Sequence, residues 1–396
     1  MQDVRVAFFD SKPYDIKSFD SVKPKGFVFK YYREHLIEDT VGLAEGHNVV
    51  CVFVNDQLTA SVIEKLLTCG VELIALRCSG YNNVDLKEAY GRIHTLRVPA
   101  YSPHAVAEHA VALMLTLNRK THKAYNRIRD NNFNINGLLG FDLYGRTAGI
   151  IGTGRIGKAL ISILQGFGMK ILAFDSYPDE TFARERSFEY VELPRLYRDS
   201  DIISLHCPLT PESYHLVNDE SLALMKREVM IINTSRGQLI DTQALIRALK
   251  AERIGYAGLD VYEEESDYFF EDLSGSNIAD DVLARLMTFN NVLITSHQAF
   301  FTQEALLNIA RTTIDNISAY FAGQPLVNEI CYQCGEEKTA AARPVEAAGA
   351  RTAESAQARA TETAQARATD QAARSRTEGA QARAKTCTKD RTGQCF

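Results

Sequence analysis

An apolar run, Thr147 to Ile151, leads directly into Gly152-Thr-Gly154-Arg155-Ile156-Gly157, and the next apolar run ends in an acid, Asp175, eighteen residues after the last glycine. This ordering constrains the chain more than any other feature, because it asks for a strand, a tight turn and a helix in succession within a parallel α/β sheet. The helix N-terminus then presents unpaired N–H groups to a pyrophosphate, and a Cβ at Gly154 would hold the backbone off the phosphate. Glycines open many strand-to-helix turns, so the hexapeptide alone also fits an ordinary turn. The preceding strand and the placed acid are what make it a dinucleotide fingerprint. A carboxylate at Asp175 accepts hydrogen bonds from the ribose hydroxyls and repels a 2′-phosphate, and Ser176 and Tyr177 bring no arginine to neutralise one. The expected cofactor is NAD rather than NADP.

The 396 residues, 45% hydrophobic and 24% charged, are enough to core two domains. A net charge of -6, with no basic run in the part expected to fold, argues against a nucleic-acid partner. No stretch reaches the roughly twenty apolar residues of a membrane span. Met1-Gln-Asp-Val-Arg5 lacks the basic and apolar regions of a signal peptide, so the expected location is the cytoplasm. Cysteines at 51, 69, 78, 207, 331, 334, 387 and 395 have no disulfide-scaffold spacing and read as reduced thiols, four of them in or beside apolar runs. Cys331-Tyr-Gln-Cys334 has metal or redox spacing, but no second pair or nearby histidine completes a site, and it reads as chance.

Short β-rich runs alternate with helical stretches. Val4–Phe9, Val49–Val54, Leu73–Arg77 and Thr95–Val98 read as buried parallel strands of a first α/β unit. The chain breaks at Pro99-Ala-Tyr-Ser-Pro103, enters a long apolar helix, His104–Arg119, and reaches the nucleotide-binding strand. Further strands are expected at Ile171–Phe174, Ile202–Leu205, Val229–Asn233, Tyr256–Leu259 and Val292–Thr295, and a last helix at Thr302–Phe321. The expected fold class is α/β, with two Rossmann-like or flavodoxin-like parallel-sheet domains and an active site in the cleft between them. Residues 1–102 and 297–332 form the substrate domain, 103–296 an inserted NAD-binding domain, and 333–396 a separate tail.

The order of motifs resembles the D-2-hydroxyacid dehydrogenases, among them the fermentative D-lactate enzymes, from about Val4 to Ile330. The resemblance is carried by Leu76-Arg-Cys-Ser-Gly-Tyr-Asn-Asn-Val-Asp85, Val98-Pro-Ala-Tyr-Ser-Pro103, Ala107-Glu-His109, Ser204-Leu-His-Cys-Pro-Leu-Thr210, Asn233-Thr-Ser-Arg-Gly237, Gly258-Leu-Asp-Val-Tyr262 and Ser296-His-Gln-Ala-Phe300. His104 departs from the family pattern, where asparagine often follows Tyr-Ser-Pro, and bears on the domain hinge.

The resemblance implies a catalytic arginine at Arg236, an acid at Glu265 and an acid–base histidine at His297. Arg236 follows a strand, on the side of the sheet where ligands bind in such folds, and its guanidinium can hold a 2-oxo acid and polarise its carbonyl; a surface ion pair is the plain alternative. His297 also ends a strand, and an imidazole beside a carboxylate can pass a proton in either direction. Glu263 and Glu264 compete with Glu265 as that neighbour, and the family spacing from Asp260 selects Glu265. The resemblance further implies substrate contacts from the backbone of Ser79 and Gly80, from Tyr101 and from Arg236. It places the cofactor on Gly152, Gly154, Arg155, Ile156, Gly157, Asp175, Cys207, Pro208, Thr234 and Asp260. No metal is implied. The expected reaction is reversible reduction of pyruvate to D-lactate by NADH, in a homodimer joined through the nucleotide-binding domains. A bulkier 2-oxo acid, or a non-enzymatic NADH-responsive binding protein of the same fold, are the alternatives; corepressors of that kind share the catalytic groups.

From Ala342 to about Gln381 an octad recurs, with acids at 346, 354, 362, 370 and 378 and almost nothing larger than alanine to bury. Eight residues make little more than two helical turns, too little for a solenoid unit. Such a segment cannot offset its ordering entropy, and disorder with transient helix is expected.

Overall fold

The computed structural model describes residues 3–265, 268–330 and 332; the octad segment and Cys331, Cys334, Cys387 and Cys395 lie outside them. The first sheet contains β1 (Val4–Phe8), β2 (Phe27–Tyr31), β3 (Val49–Val52), β4 (Leu73–Leu76) and β5 (His94–Leu96). The second contains β6 (Thr147–Ile151), β7 (Lys170–Phe174), β8 (Glu189–Tyr190), β9 (Ile202–Leu205), β10 (Met230–Asn233), β11 (Tyr256–Leu259) and β12 (Val292–Ile294). The strand orders are β2-β1-β3-β4-β5 and β12-β11-β10-β9-β6-β7-β8, with every pairing parallel. These are two parallel-sheet α/β domains.

The central strands VVCV, LIAL, IISL and MIIN are buried at every position. Helices cover both faces of such a sheet, so a continuous apolar run is what a central strand requires. Two strands escaped the sequence reading. β2 alternates half-buried Phe27, Phe29 and Tyr31 with exposed Val28 and Lys30, the pattern of an edge strand rather than an apolar run. β8 is only two residues long. The inward rings of β2 pack on Phe8, whose ring meets Phe19 of helix Pro13–Val22 edge-on at 4.8 Å.

Strand order reverses between β1 and β3 in the first sheet and between β6 and β9 in the second. Helices diverge to opposite faces there and leave a crevice at the carboxyl ends of the strands. The chain passes between the sheets twice. Helix Pro103–Arg119 packs on β10, β11 and helix Arg155–Gly166, whereas helix Gln303–Phe321 returns to helix Pro13–Val22 of the first sheet. The two passages are tied by Asn308 Nδ2, donating to the Tyr101 carbonyl at 2.8 Å, and by Asn316 Nδ2, donating to the Arg97 carbonyl at 2.9 Å.

Cys51, Cys69, Cys78 and Cys207 are free thiols. Burial pushes Cys51 and Cys78 up to about 12 and Cys207 up to about 11, which makes them poor nucleophiles at neutral pH. Among the described residues no helix is long and apolar enough to cross a membrane.

Candidate active site

The glycine turn is built as its spacing requires. Gly152 has a φ of +94°, and a Cβ there would stand 2.5 Å from the Cys207 nitrogen, so two loops at the switch point meet only because the side chain is missing. A Cβ at Gly157 would collide with the Gly152 carbonyl. Gly154 caps helix Arg155–Gly166 and offers no side chain to its first N–H groups. A Cβ on Gly154 would meet nothing within 4 Å; it would project into the open space where a phosphate belongs.

Asp175 sits just past β7, where its carboxylate is fixed from both oxygens. One accepts from the Thr153 N–H at 2.6 Å and the Thr153 hydroxyl at 2.9 Å, and the other accepts from the Tyr177 N–H at 2.9 Å. A carboxylate has about four acceptor positions, so capacity remains for a ribose diol. Thr153, which the sequence reading left without a role, sets that orientation. Across the switch point, the Ser235 hydroxyl donates to the Cys207 carbonyl at 2.7 Å and holds the turn before Pro208 against the one after β10. The hydroxyl of buried Thr234 has no partner among the described residues and lines the same cleft. A buried unpaired hydroxyl is costly unless a ligand satisfies it. These features fit NAD.

Arg236 stands in a turn clamped by Asn233, whose side chain accepts from the Ser235 N–H at 3.0 Å and donates to the Arg236 carbonyl at 2.8 Å. The guanidinium donates to the Ser235 carbonyl at 2.7 Å and reaches the first sheet, where a Cβ on Gly80 would stand only 2.8 Å from Nη2. Gly80 is therefore more than a turn residue: the arginine needs the space. The carbonyls of Ser79 and Gly80 are occupied, by Arg97 Nη1 at 2.9 Å and Cys78 Sγ at 3.2 Å. Their N–H groups donate to nothing among the described residues. Burial pushes the Tyr101 hydroxyl up to about 12, against the opposing pull of Arg236, so it remains a neutral donor. His104 is exposed in the first turn of helix Pro103–Arg119.

His297 follows β12 with a φ of +49°, a left-handed conformation that is uncommon outside glycine. Asp260 organises the turn around it. Fully buried, it accepts from the Thr295 hydroxyl at 2.5 Å, the Gln298 N–H at 2.9 Å and the Ala299 N–H at 2.8 Å, while its carbonyl accepts the His297 N–H at 2.7 Å. Its side chain thus organises the turn that carries His297. His109 braces the same turn from helix Pro103–Arg119, with Nε2 at 3.1 Å from the Thr295 hydroxyl.

His297 Nδ1 lies 2.7 Å from Glu265 Oε1, and Glu265 Oε2 accepts the Tyr262 N–H at 2.9 Å. Glu263 is engaged elsewhere, with His215 Nε2 at 2.7 Å and the Thr242 N–H at 2.8 Å, and Glu264 is exposed.

Ser79, Tyr101, Gly154, Thr234, Arg236 and His297 line one cleft of about 320 Å³, with Arg155 and Ile156 at its edge. Glu265 and Asp260 stand behind His297, and Asp175 lies along the glycine turn. The cleft also contains His206, which the sequence reading passed over although it directly follows β9. Burial lowers its imidazole to about 4, so it stays neutral, with Nε2 2.8 Å from the Ser204 hydroxyl. A guanidinium lining the same cleft as an imidazole oriented by a carboxylate can bind a 2-oxo acid and exchange a proton with its carbonyl oxygen.

A family model described as the NAD binding domain of D-isomer specific 2-hydroxyacid dehydrogenase matches residues 111–299. The chain is 52% identical to a D-lactate dehydrogenase of Escherichia coli (strain K12) over 329 residues, 83% of this chain and 100% of the relative. The apo structure of D-lactate dehydrogenase from Escherichia coli superposes with a TM-score of 0.76 at 50% identity, covering 82% of this chain and 99% of that one. An NAD complex of a D-isomer specific 2-hydroxyacid dehydrogenase from Lactobacillus delbrueckii ssp. bulgaricus gives a TM-score of 0.69 at 30% identity, covering 82% and 99%. With the glycine turn, the cleft and these likenesses together, the chain belongs to the D-2-hydroxyacid dehydrogenases, NAD-dependent oxidoreductases.

Proposed function

We propose that this chain is a D-lactate dehydrogenase that reversibly reduces pyruvate. The observation that carries the reading is the convergence of Arg236, braced on Gly80, and the His297–Glu265 pair on one cleft beside the glycine turn. When bound, NADH supplies the hydride that C2 of the oxo acid receives. Arg236 grips the carboxylate and carbonyl oxygens and stabilises the negative charge that develops on the latter. The free N–H groups of Ser79 and Gly80 take the other side of the carboxylate. Because Glu265 engages Nδ1, the proton passes from Nε2 of His297 to the carbonyl oxygen, and in the reverse direction Nε2 accepts it.

Tyr101 and Phe300, with ring centres 6.2 Å apart, wall the cleft, and the likeness to D-lactate dehydrogenases favours pyruvate as the substrate. Purified protein should oxidise NADH faster with pyruvate than with phenylpyruvate and yield the D enantiomer on chiral analysis. Intact NADH binding without turnover of either acid would sink this reading and promote the NADH-responsive binding protein.

The reading includes a homodimer acting in the cytoplasm. Tyr125, Ile128, Phe133, Ile135, Leu139 and Tyr144 are all at least half exposed within one stretch of twenty residues ahead of β6, and a second copy of this chain is the occupant we assign to that stretch. Sedimentation should show a dimer, and Phe133→Asp combined with Ile135→Asp should give a monomer that still binds NADH. A parent chain that sediments as a monomer would refute this.

A further inference from the structure

His297 is placed by β11 and β12, yet its ring also touches a residue held from the first sheet. The Phe270 ring lies 5.8 Å from the His297 ring, tilted by 35°. Phe270 has a φ of +72°, which a bulky side chain adopts only when its surroundings impose it. Phe270 packs against the cores of both sheets, and its specific partners include groups across the cleft. Phe53, just after β3, meets Phe270 edge-on at 5.3 Å, and Asn55 Nδ2 donates to the Phe269 carbonyl at 3.3 Å. The Glu271 carboxylate accepts from Lys12 Nζ at 2.8 Å and stands 3.5 Å from His35 Nε2.

These first-sheet groups are themselves anchored. Lys12 Nζ is 2.9 Å from Asp10, a fully buried carboxylate just after β1, and the buried Arg77 guanidinium lies 4.8 Å from the Phe53 ring centre. Asp10, His35 and Glu271 also have the spacing of a cation site, but the Lys12 ammonium already contacts both carboxylates and serves as the cation there.

We propose that Phe270 is a positioning residue for the His297 imidazole and that Lys12, acting through Glu271, holds it in place. The first sheet then sets the attitude of a proton donor carried by the second. Glu265 fixes the imidazole along one hydrogen bond, and rotation about that bond would swing Nε2 across the cleft while the bond survives. The Phe270 ring beside the imidazole narrows the room for that swing. The same sheet presents Ser79 and Gly80 to the substrate carboxylate, so the body that grips the substrate also aligns the donor. This inference rests on the reading of His297 as the acid–base group.

The test is steady-state kinetics of pyruvate reduction in H₂O and D₂O, with NADH affinity measured by fluorescence. Phe270→Ala should lower kcat by about tenfold or more, since small misplacements of reacting groups cost that much. KM for pyruvate and NADH affinity should stay near parental values, and the solvent isotope effect on kcat should rise as proton transfer becomes limiting. Phe270→Leu, which restores apolar bulk, should recover most of the rate. Glu271→Gln leaves the Lys12–Asp10 pair intact and should change kcat and isotope effect in the same sense by a few-fold, as suits a half-exposed ion pair.

A parental kcat and isotope effect in Phe270→Ala would overturn the proposal, as would a loss that appears only in KM. Parental behaviour of Glu271→Gln would overturn the Lys12 link, and that variant with Phe270→Leu carries the test if Phe270→Ala does not fold. A parent chain inactive on pyruvate would instead refute the functional reading, so the two failures are distinguishable.

Discussion

Replacing His297 with alanine should lower kcat for pyruvate reduction by about 10²- to 10⁴-fold, the range that a positioned general acid contributes. The cofactor contacts lie on other loops, so NADH affinity should survive. Structural damage should be small as well: the ring is one-fifth exposed, and the turn that bears it is held through the backbone by Asp260 rather than through the imidazole. His297→Gln, which can donate a hydrogen bond but cannot deliver a proton, should be nearly as impaired. Stopped-flow hydride transfer, read beside a NADH titration, checks this; a loss of less than about tenfold would remove His297 from the proton path.

Arg236→Ala should be the more damaging substitution in kcat/KM, because one side chain anchors the carboxylate and stabilises the oxyanion. Removing a single oxyanion donor costs about 10²- to 10³-fold in kcat, and loss of the charged fork adds a rise in KM. Arg236→Lys discriminates the roles. A lysine keeps the charge but not the planar fork, so it should recover part of KM and little of kcat. If Arg236→Lys matched the parent, bidentate recognition of the substrate would be excluded. Gly80→Ala offers an independent view, since its methyl would press on Nη2 and displace the guanidinium without changing any charge.

Much of the fold was legible because its signals are local. Apolar runs such as IISL and MIIN announce strands covered on both faces, and the glycine turn specifies a backbone conformation that few other residues can adopt. Edge strands were harder to read. β2 presents one face to Phe8 and the other outward, so its hydrophobic content is that of many half-exposed segments. The site was legible as a list of residues and much less so as a set of contacts. Glu263, Glu264 and Glu265 are consecutive in an irregular segment, where no periodicity says which carboxylate turns toward His297; the packing of β11 beside β12 brings Glu265 to Nδ1, whereas His215 and the Thr242 N–H take Glu263. Asp260 was expected among the cofactor contacts, and the structure adds that its carboxylate also accepts from the Thr295 hydroxyl and the Gln298 and Ala299 N–H groups around His297.

By itself, the sequence determined the parallel α/β class, the glycine turn with its acid and the preference for NAD, because each depends on residues close together in the chain and on backbone geometry that side-chain type controls. Only the tertiary structure decided the apposition of Gly80 with Arg236 and the proximity of Phe270 to the His297 ring. Those contacts join strand ends from different parts of a sheet, or from different sheets. Their distances are set by strand order and by the two passages of the chain between the sheets, and no local pattern encodes either.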